Sequence, residues 1–409
     1  MRIAVLLEDR CKPNSPAFMY LQKYAGQCGA ECIQVEGTKC KILESACPPC
    51  LVRAKHCPGD AVKIINLPQE LDHDLTHCYG ENGFRLFRLP APRESEVVGV
   101  LGANGIGKST AINLLSGTLR PNLGDWLGGE RPWEEVLDTF PRGELRDFMS
   151  LVAGDGVRIA VKPQYVDKIP RAFDGLVSAL LERIDQRGVI EQVSKDLSID
   201  HLFERKLPEL SGGELQRVAI AATLLKDADV YFFDEPSSYL DIYERMRMVK
   251  IIQELSETGK RVIVIEHDLA ILDVLCDLVH IVYGERAAYG IFTPPRNTRT
   301  AINAYLDGFL EQENMRLRDK PIQFVRGGVR GEEIGQPILE WGDMEKTLGT
   351  FHLKTESGKV HSSEVVGVVG PNATGKTTMV KMIAGELEID AGWCTMEAKV
   401  SYKPQHVKP

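Results

Sequence analysis

The sequence predicts an α/β protein with two phosphate-loop nucleotide-binding domains in tandem behind a small, cysteine-rich α+β module. Three observations carry that expectation. Gly102 to Ser109 reads GANGIGKS, a full G-x4-G-K-S loop set between an apolar strand and a helix. The strand and loop return 268 residues later, where Glu364 to Gly370 repeats Glu96 to Gly102. Eight of the ten cysteines precede residue 79. A chain of 409 residues with 43% hydrophobic content is long enough for two or three domains with real cores. Its net charge of −9 argues against bulk coating of nucleic acid, although local basic patches can still touch phosphate. Apolar runs are strand-length, and the opening run meets acid at Glu8-Asp9, so neither a membrane span nor a signal peptide is expected. A soluble, cytoplasmic protein follows.

The first module covers residues 1–68. Cys47, Cys50 and Cys57-Pro58 fit the bacterial ferredoxin spacing C-x2-C-x2-C-x3-C-P, but Arg53 stands at the third position. An earlier run keeps Cys11 and carries Pro16, Tyr20 and Tyr24 at its later positions. Because the fourth cysteine of each run serves the other cluster, Cys47 pairs with Cys50 and Cys11 with Cys57, too few thiolates for an ordinary four-iron cluster. Two readings stand: a clusterless module whose thiols are small core residues, or a rearranged zinc or iron site that recruits Cys28, Cys32 and Cys40.

From residue 69 to 302 strands and helices alternate. Glu96–Leu101 is a buried strand, and the loop leads into a helix through Ala111–Leu115. Backbone N–H groups of such a loop, at Gly102, Asn104, Gly105 and Gly107, wrap the β-phosphate. Lys108 reaches the β- and γ-oxygens, and Ser109, beside Thr110, ligates Mg²⁺. Two short helices around Pro141-Arg142-Gly143 occupy roughly residues 130–152. The strand Ile159–Val161 ends in Lys162-Pro163-Gln164. Leu210 to Arg217, LSGGELQR, places Ser211, Gly212 and Gly213 at a helix N-terminus suited to an anion. Asp229–Glu235 is a second buried strand ending in two acids: Asp234 to hold Mg²⁺ through water, Glu235 to polarise the attacking water. Pro236 to Asp241 follows, and the strand Val262–Ile265 then delivers His267 as a γ-phosphate sensor.

In the second copy Gly370, Asn372, Gly375, Lys376, Thr377 and Thr378 repeat the first loop. Lys403-Pro404-Gln405 repeats Lys162-Pro163-Gln164 at a shift of only 241, so the first copy carries about 27 extra residues, the size of its helical insertion. Gln164 and Gln405 are expected to reach the nucleotide-bound Mg²⁺, and Gln164 to take part in catalysis.

These motifs resemble the ABC ATPases, specifically subfamily E, the RNase L inhibitor or ribosome-recycling ATPase family. The most specific pieces are Gly105–Thr110, Lys162–Arg171, Leu210–Arg217, Phe233–Asp241 and Ile265–Leu269, and the resemblance spans nearly the whole chain. It implies a P-loop NTPase of ABC type preceded by a ferredoxin-like domain, with a hinge at 303–326 and the N-terminal part of a second nucleotide domain at 327–409. It further implies that Tyr79 and Trp341 stack on adenine, that Asp241 belongs to the nucleotide site, and that the helical insertion approaches ribosomal RNA and the small subunit. Such an enzyme binds ATP and Mg²⁺ between its domains and splits ribosomes with class 1 release factors or Pelota-type factors; translation initiation factors are further partners. Members carry two four-iron clusters. Four of the eight ligand positions differ here, so Cys11, Cys47, Cys50 and Cys57 are remnant ligands and the clusters are expected to be absent or altered.

After Gln405 the sequence reads His406-Val407-Lys408-Pro409, with no second LSGGE, no second strand ending in Asp-Glu and no second strand-end histidine like His267. On the sequence as it stands, the site at Lys108 has Glu235 and His267 without a partner signature, whereas Lys376 can receive Ser211 without its own acids. A nucleotide-gated ribosome-binding factor that hydrolyses slowly or not at all is therefore the alternative to an ATPase. A membrane-transporter subunit fits less well, since such subunits usually lack a tandem partner and a cysteine-rich front.

Overall fold

The computed structural model describes residues 2–7, 9–25, 32–37, 39–43, 56–66, 74–323, 335–349, 351–396 and 399–403. They form two compact units, one of residues 1–238 and 246–322, the other of 239–245 and 323–409.

The first unit opens with β1 (Arg2–Leu6), α1 (Pro16–Tyr24), the hairpin β2 (Ile33–Glu36) and β3 (Lys39–Ile42), and β4 (Val62–Asn66), which pairs antiparallel with β1. Helix α1 starts where Ser15 caps it, its hydroxyl accepting from Phe18 N–H, with Pro16 in the first turn, where a missing N–H costs nothing. Its buried Ala17, Phe18 and Leu21 pack with Cys11, Cys40, Cys57, Ile42 and Val62 as a small core.

The large sheet follows. Its strands are β5 (Leu75–Cys78), β6 (Arg85–Phe87), β7 (Val97–Gly102), β8 (Ile159–Lys162), β9 (Val230–Asp234), β10 (Arg261–Ile265), β11 (Leu278–Glu285) and β12 (Tyr289–Phe292). They lie in the order β5-β6-β12-β11-β7-β10-β9-β8, with the two-residue β13 (Arg296–Asn297) beside β11. From β11 to β8 every neighbour is parallel. Parallel strands are covered on both faces, which is why β7 and β9 are buried at every residue and read as unbroken apolar runs. The covering helices are α2 (Lys108–Leu115), α3 (Trp133–Thr139), α4 (Glu144–Ala153), α5 (Ile169–Ala172), α6 (Val177–Ile184), α7 (Ile190–Asp196), α8 (Gly212–Leu224), α9 (Ile242–Glu257), α10 (Leu269–Leu275) and α11 (Thr298–Asp307). Helices α3 and α4 are the insertion expected around Pro141, and Val136, Phe148 and Met149 anchor it to the core behind β7. The unit closes with a small pair, β14 (Phe309–Leu310) and β15 (Met315–Arg316).

In the second unit β16 (Pro337–Trp341) lies between β19 (Gly358–His361) and β20 (Cys394–Met396), and β17 (Met344–Leu348) pairs with β18 (Phe351–Thr355). Helix α12 (Lys376–Ile383) follows the second loop. The repeat of the β7 sequence does not form a strand: residues 364–370 are irregular, with Val365 96% and Val369 88% exposed. The reason is pairing. Strand β7 is held by β10 and β11, which come from residues 261–285, and among the described residues of the second unit no strand flanks 364–370 in that way. An apolar strand sequence without a ladder has nothing to satisfy its backbone.

Candidate functional site

Parallel topology brings four strand ends to one edge of the first unit, the place where open α/β sheets bind ligands. Strand β7 delivers the phosphate loop, β9 delivers Asp234 and Glu235, β10 delivers His267, and β8 delivers Gln164. A cleft of about 480 Å³ opens there, lined by Tyr79, Asn104, Gly105, Gly107, Lys108, Ser109, Thr110, Gln164, Asp234 and Glu235, together with Phe84, Tyr165 and Ala287. Gly107 has φ +95° and Phe84 and Leu86 press on it so closely that a Cβ would lie 2.6 Å from the Phe84 ring. Only glycine fits both demands.

Lys108 folds over the loop, its ammonium donating to Gly102 O at 2.9 Å and Ala103 O at 2.8 Å. Burial lowers its pKa to about 8, against the opposing pull of Glu235 and Asp234. Ser109 Oγ donates to Asp234 Oδ2 at 3.1 Å. Burial raises the pKa of Asp234 although that bond favours the carboxylate, so a cation at this point is electrostatically welcome. A hydroxyl and a carboxylate converging on one point are hard oxygen donors of the kind Mg²⁺ takes, and Gln164 adds an amide oxygen nearby. When bound with nucleotide, Mg²⁺ offsets phosphate charge.

Glu235 stands at the centre. Its Oε1 accepts from Gln164 Nε2 at 2.8 Å and lies 3.4 Å from His267 Nε2. Burial, and then Lys108, push the His267 pKa down, with Glu235 opposing; the imidazole is neutral at neutral pH and keeps one N–H to donate. The Glu235 backbone is left-handed, φ +48°, a conformation that costs a non-glycine residue about 1–2 kcal/mol. Three buried side chains hold it. Lys162 Nζ donates to Asp234 O at 2.9 Å and Glu235 O at 3.3 Å. Gln216 Nε2 donates to Glu235 O and Pro236 O. Glu266 accepts from Ser237 N–H at 2.8 Å and His267 N–H at 3.2 Å, tying the acid turn to the histidine. The sequence had marked none of these three as site residues. Their signal is position: each stands beside a motif residue, as in Lys162-Pro163-Gln164 or Glu266-His267.

Tyr79 is half-exposed on the cleft wall, its ring edge-on to His77 and its hydroxyl 3.3 Å from Thr110 Oγ1. Ser211 and Gly212 lie exposed at the start of α8, with Gly213 next to them. Ser211 and Glu214 form a capping box: Ser211 Oγ accepts from Glu214 N–H, and Glu214 Oε2 accepts from Ser211 N–H at 2.7 Å. Burial raises the Glu214 pKa, but these bonds and Arg205, whose guanidinium is 2.8 Å away, bring it below the usual range.

In the second unit Lys376 donates to Gly370 O at 2.7 Å and to Pro371 O, as Lys108 does in the first loop. Phe351 and Leu353 press on Gly375 as Phe84 and Leu86 press on Gly107. The Asn372 N–H donates to Asp241 Oδ2 at 2.8 Å, and Asp241 also caps Glu244 N–H at 3.0 Å. Thr377 is exposed and Thr378 half-buried at the start of α12. The Trp341 indole N–H donates to Glu356 O at 2.9 Å, and its ring lies against Gly358. Gln405 lies outside the described residues.

Of the cluster positions, Cys47 and Cys50 lie outside the described residues, as do Cys28 and Arg53. Cys11 and Cys57 are buried with Cys40 among apolar side chains, and burial pushes the Cys40 thiol up to about 12. Tyr20 and Tyr24 meet on one face of α1 with ring centres 4.6 Å apart and planes tilted by 53°. Pro16, Tyr20 and Tyr24 bring no thiolate to the positions they occupy in the first run. Among the described residues no group of three His, Cys, Asp or Glu side chains converges as a metal site.

Fold and site together define a phosphate-loop ATPase of the ATP-binding-cassette type, with ATP and Mg²⁺ as its ligands. A family model described as ABC transporter matches residues 92–238 and 353–408. The chain is 42% identical to ABC transporter E family member 1 of Arabidopsis thaliana, over 99% of this chain and 68% of that protein. It is 41% identical to translation initiation factor RLI1 of Chaetomium thermophilum, over 100% of this chain and 68% of that one. A solved structure of ribosome-bound archaeal Pelota and ABCE1 superposes with a TM-score of 0.93 at 43% identity, covering 100% of this chain and 69% of the matched one. The chain belongs to subfamily E of the ABC ATPases, the RNase L inhibitor or ribosome-recycling ATPase family.

Proposed function

We propose that this protein is a cytoplasmic ATPase that uses ATP and Mg²⁺ to split ribosomes into subunits after termination or stalling. It contacts the small subunit and ribosomal RNA through the α3–α4 insertion and works with a class 1 release factor or Pelota-type factor; initiation factors are further partners. The observation that carries the reading is the Glu235 constellation, in which Gln164 and His267 flank one carboxylate beside Lys108, Ser109 and Asp234. Glu235 orients and deprotonates water, His267 and Lys108 face the terminal phosphate, and Tyr79 holds the base. In the second unit Asn372, Lys376, Thr377 and Thr378 bind a second nucleotide; Trp341 is assigned to its base and Gln405 to its Mg²⁺ on family resemblance. Ser211, Gly212 and Gly213 act as an anion clamp. No helix among the described residues is long and apolar enough to cross a membrane, in keeping with a soluble protein. The domain limits that suit this reading are 1–68, 69–302, a hinge at 303–326, and 327–409.

The N-terminal module works as a rigid wedge without four-iron clusters. Iron and acid-labile sulfide assays on anaerobically purified protein should find far less than the about eight irons that two such clusters hold; a full complement overturns this part. For the whole reading, ribosomes incubated with the protein, a Pelota-type factor and ATP should yield free subunits on a sucrose gradient, and Lys108→Met should leave them intact. Intact ribosomes with both proteins contradict it.

The second reading is a nucleotide-gated ribosome-binding factor that hydrolyses slowly or not at all. Subunit binding that follows ATP occupancy with no turnover would select that reading.

A further inference from the structure

The left-handed peptide of Glu235 is gripped from two sides. Gln216 Nε2 donates to Glu235 O at 2.9 Å and Pro236 O at 2.8 Å, while Lys162 Nζ donates to Glu235 O at 3.3 Å and Asp234 O at 2.9 Å. Three consecutive carbonyls are thus fixed by two side chains that are each fully buried. The remaining contact on Glu235 O is the turn's own Ser238 N–H at 3.4 Å. A non-glycine residue holds φ +48° only where its surroundings over-determine the backbone.

Stability alone does not account for this choice of side chain. Gln216 Oε1 is buried with no hydrogen-bond partner among the described residues. An orphaned buried acceptor offsets the two bonds the amide donates, so an apolar side chain of the same length would pack about as well. What the amide adds is a fixed place for the Glu235 peptide, and so for the carboxylate 2.8 Å from Gln164.

We propose that Gln216 and Lys162 are positioning residues for hydrolysis, holding Glu235 in its left-handed conformation with its carboxylate beside Gln164 and His267. Gln216 lies five residues into the helix segment that begins at Ser211. Any rotation or shift of α8 on engaging an anion at Ser211–Gly213 therefore pulls on the Glu235 carbonyl, and the clamp and the water-activating acid are mechanically linked. The inference rests on the ATPase reading above, and its test separates the two.

Wild type, Gln216→Met and Glu235→Gln are compared by ATP turnover, by affinity for a fluorescent ATP analogue, and by amide hydrogen exchange over residues 234–238 without nucleotide. Methionine matches glutamine in length and removes both donors. Gln216→Met should exchange these amides about tenfold faster and turn over about tenfold more slowly, with affinity and melting temperature close to wild type. Unchanged exchange in a folded Gln216→Met overturns the proposal, and so does a fall in affinity that matches the fall in turnover. If Gln216→Met does not fold, Lys162→Arg, which keeps the charge and alters the reach, is held to the same outcomes. If Glu235→Gln hydrolyses ATP as fast as wild type, the ATPase reading has failed, while the exchange data still decide the positioning claim.

Discussion

Replacing Asn82 with alanine should loosen the N-terminal module from the sheet beside Tyr79. Asn82 is 3% exposed and completes the outer edge of the β2–β3 hairpin. Its Oδ1 accepts from Ile42 N–H at 2.7 Å, and its Nδ2 donates to Ile42 O at 2.9 Å. One side chain thus does the work of a third strand. Its own carbonyl accepts from Leu6 N–H at 3.1 Å, and its φ is +58°. Alanine would lose two buried bonds, each worth about 1 kcal/mol net. It would also place a residue that disfavours the left-handed region where asparagine tolerates it, for about 1 kcal/mol more. The sum is about 3 kcal/mol. Asn82→Gly separates the terms, since glycine accepts the backbone conformation and should lose only about 2 kcal/mol. Urea unfolding followed by circular dichroism, with limited proteolysis of residues 1–66, reads both. If both variants stay within about 0.5 kcal/mol of wild type, Asn82 does not hold the module and the reasoning fails. If glycine alone restores full stability, only the backbone conformation matters and the two bonds do not.

Two further outcomes follow from other sites. Ser211→Ala removes the α8 cap, but its bond to Glu214 N–H is long at 3.4 Å, so the loss by thermal unfolding should be near the lower end for a cap, about 0.5 kcal/mol. A loss above about 2 kcal/mol would mean that the serine does more than cap. His280 donates Nδ1–H to Thr293 O at 2.7 Å, and burial lowers its pKa from 6.5 to about 4. As pH falls from 6.5 towards 4 the unfolded chain takes up a proton that the folded one does not. Stability should therefore fall across that window, by about 3 kcal/mol when complete, with no contribution above it. His280→Gln should flatten this part of the acid limb in urea midpoints at pH 4.5 and 7; an unchanged slope would remove His280 as its source.

Much of the site was legible because its motifs are local. The strand Val97–Gly102, the loop to Ser109 and the helix after it form a continuous stretch whose geometry depends on glycines and on apolar burial. Asp234, Glu235, Gln164 and His267 were readable as strand-end residues, and parallel topology then had to bring them together. What the sequence did not show depends on partners far along the chain. Lys162 and Gln216 converge on Glu235 from 73 and 19 residues away. Asn82 reaches Ile42 across 40 residues, and no periodicity records such a bond. Residues 364–370 carry a strand's composition but have no flanking strands among the described residues, and β-propensity measures fit to a pleated surface that neighbours must supply. In the module, Cys40 joins Cys11 and Cys57 in one core through the β2–β3 hairpin, although cysteine spacing had set it apart from them.

The most direct test is ATP turnover at saturating Mg–ATP, measured side by side for wild type and Glu235→Gln, with nucleotide affinity as the control. If Glu235 places the attacking water, the variant should bind ATP normally and turn over more slowly by about a hundredfold or more. Equal turnover in the two proteins would contradict hydrolysis at this carboxylate.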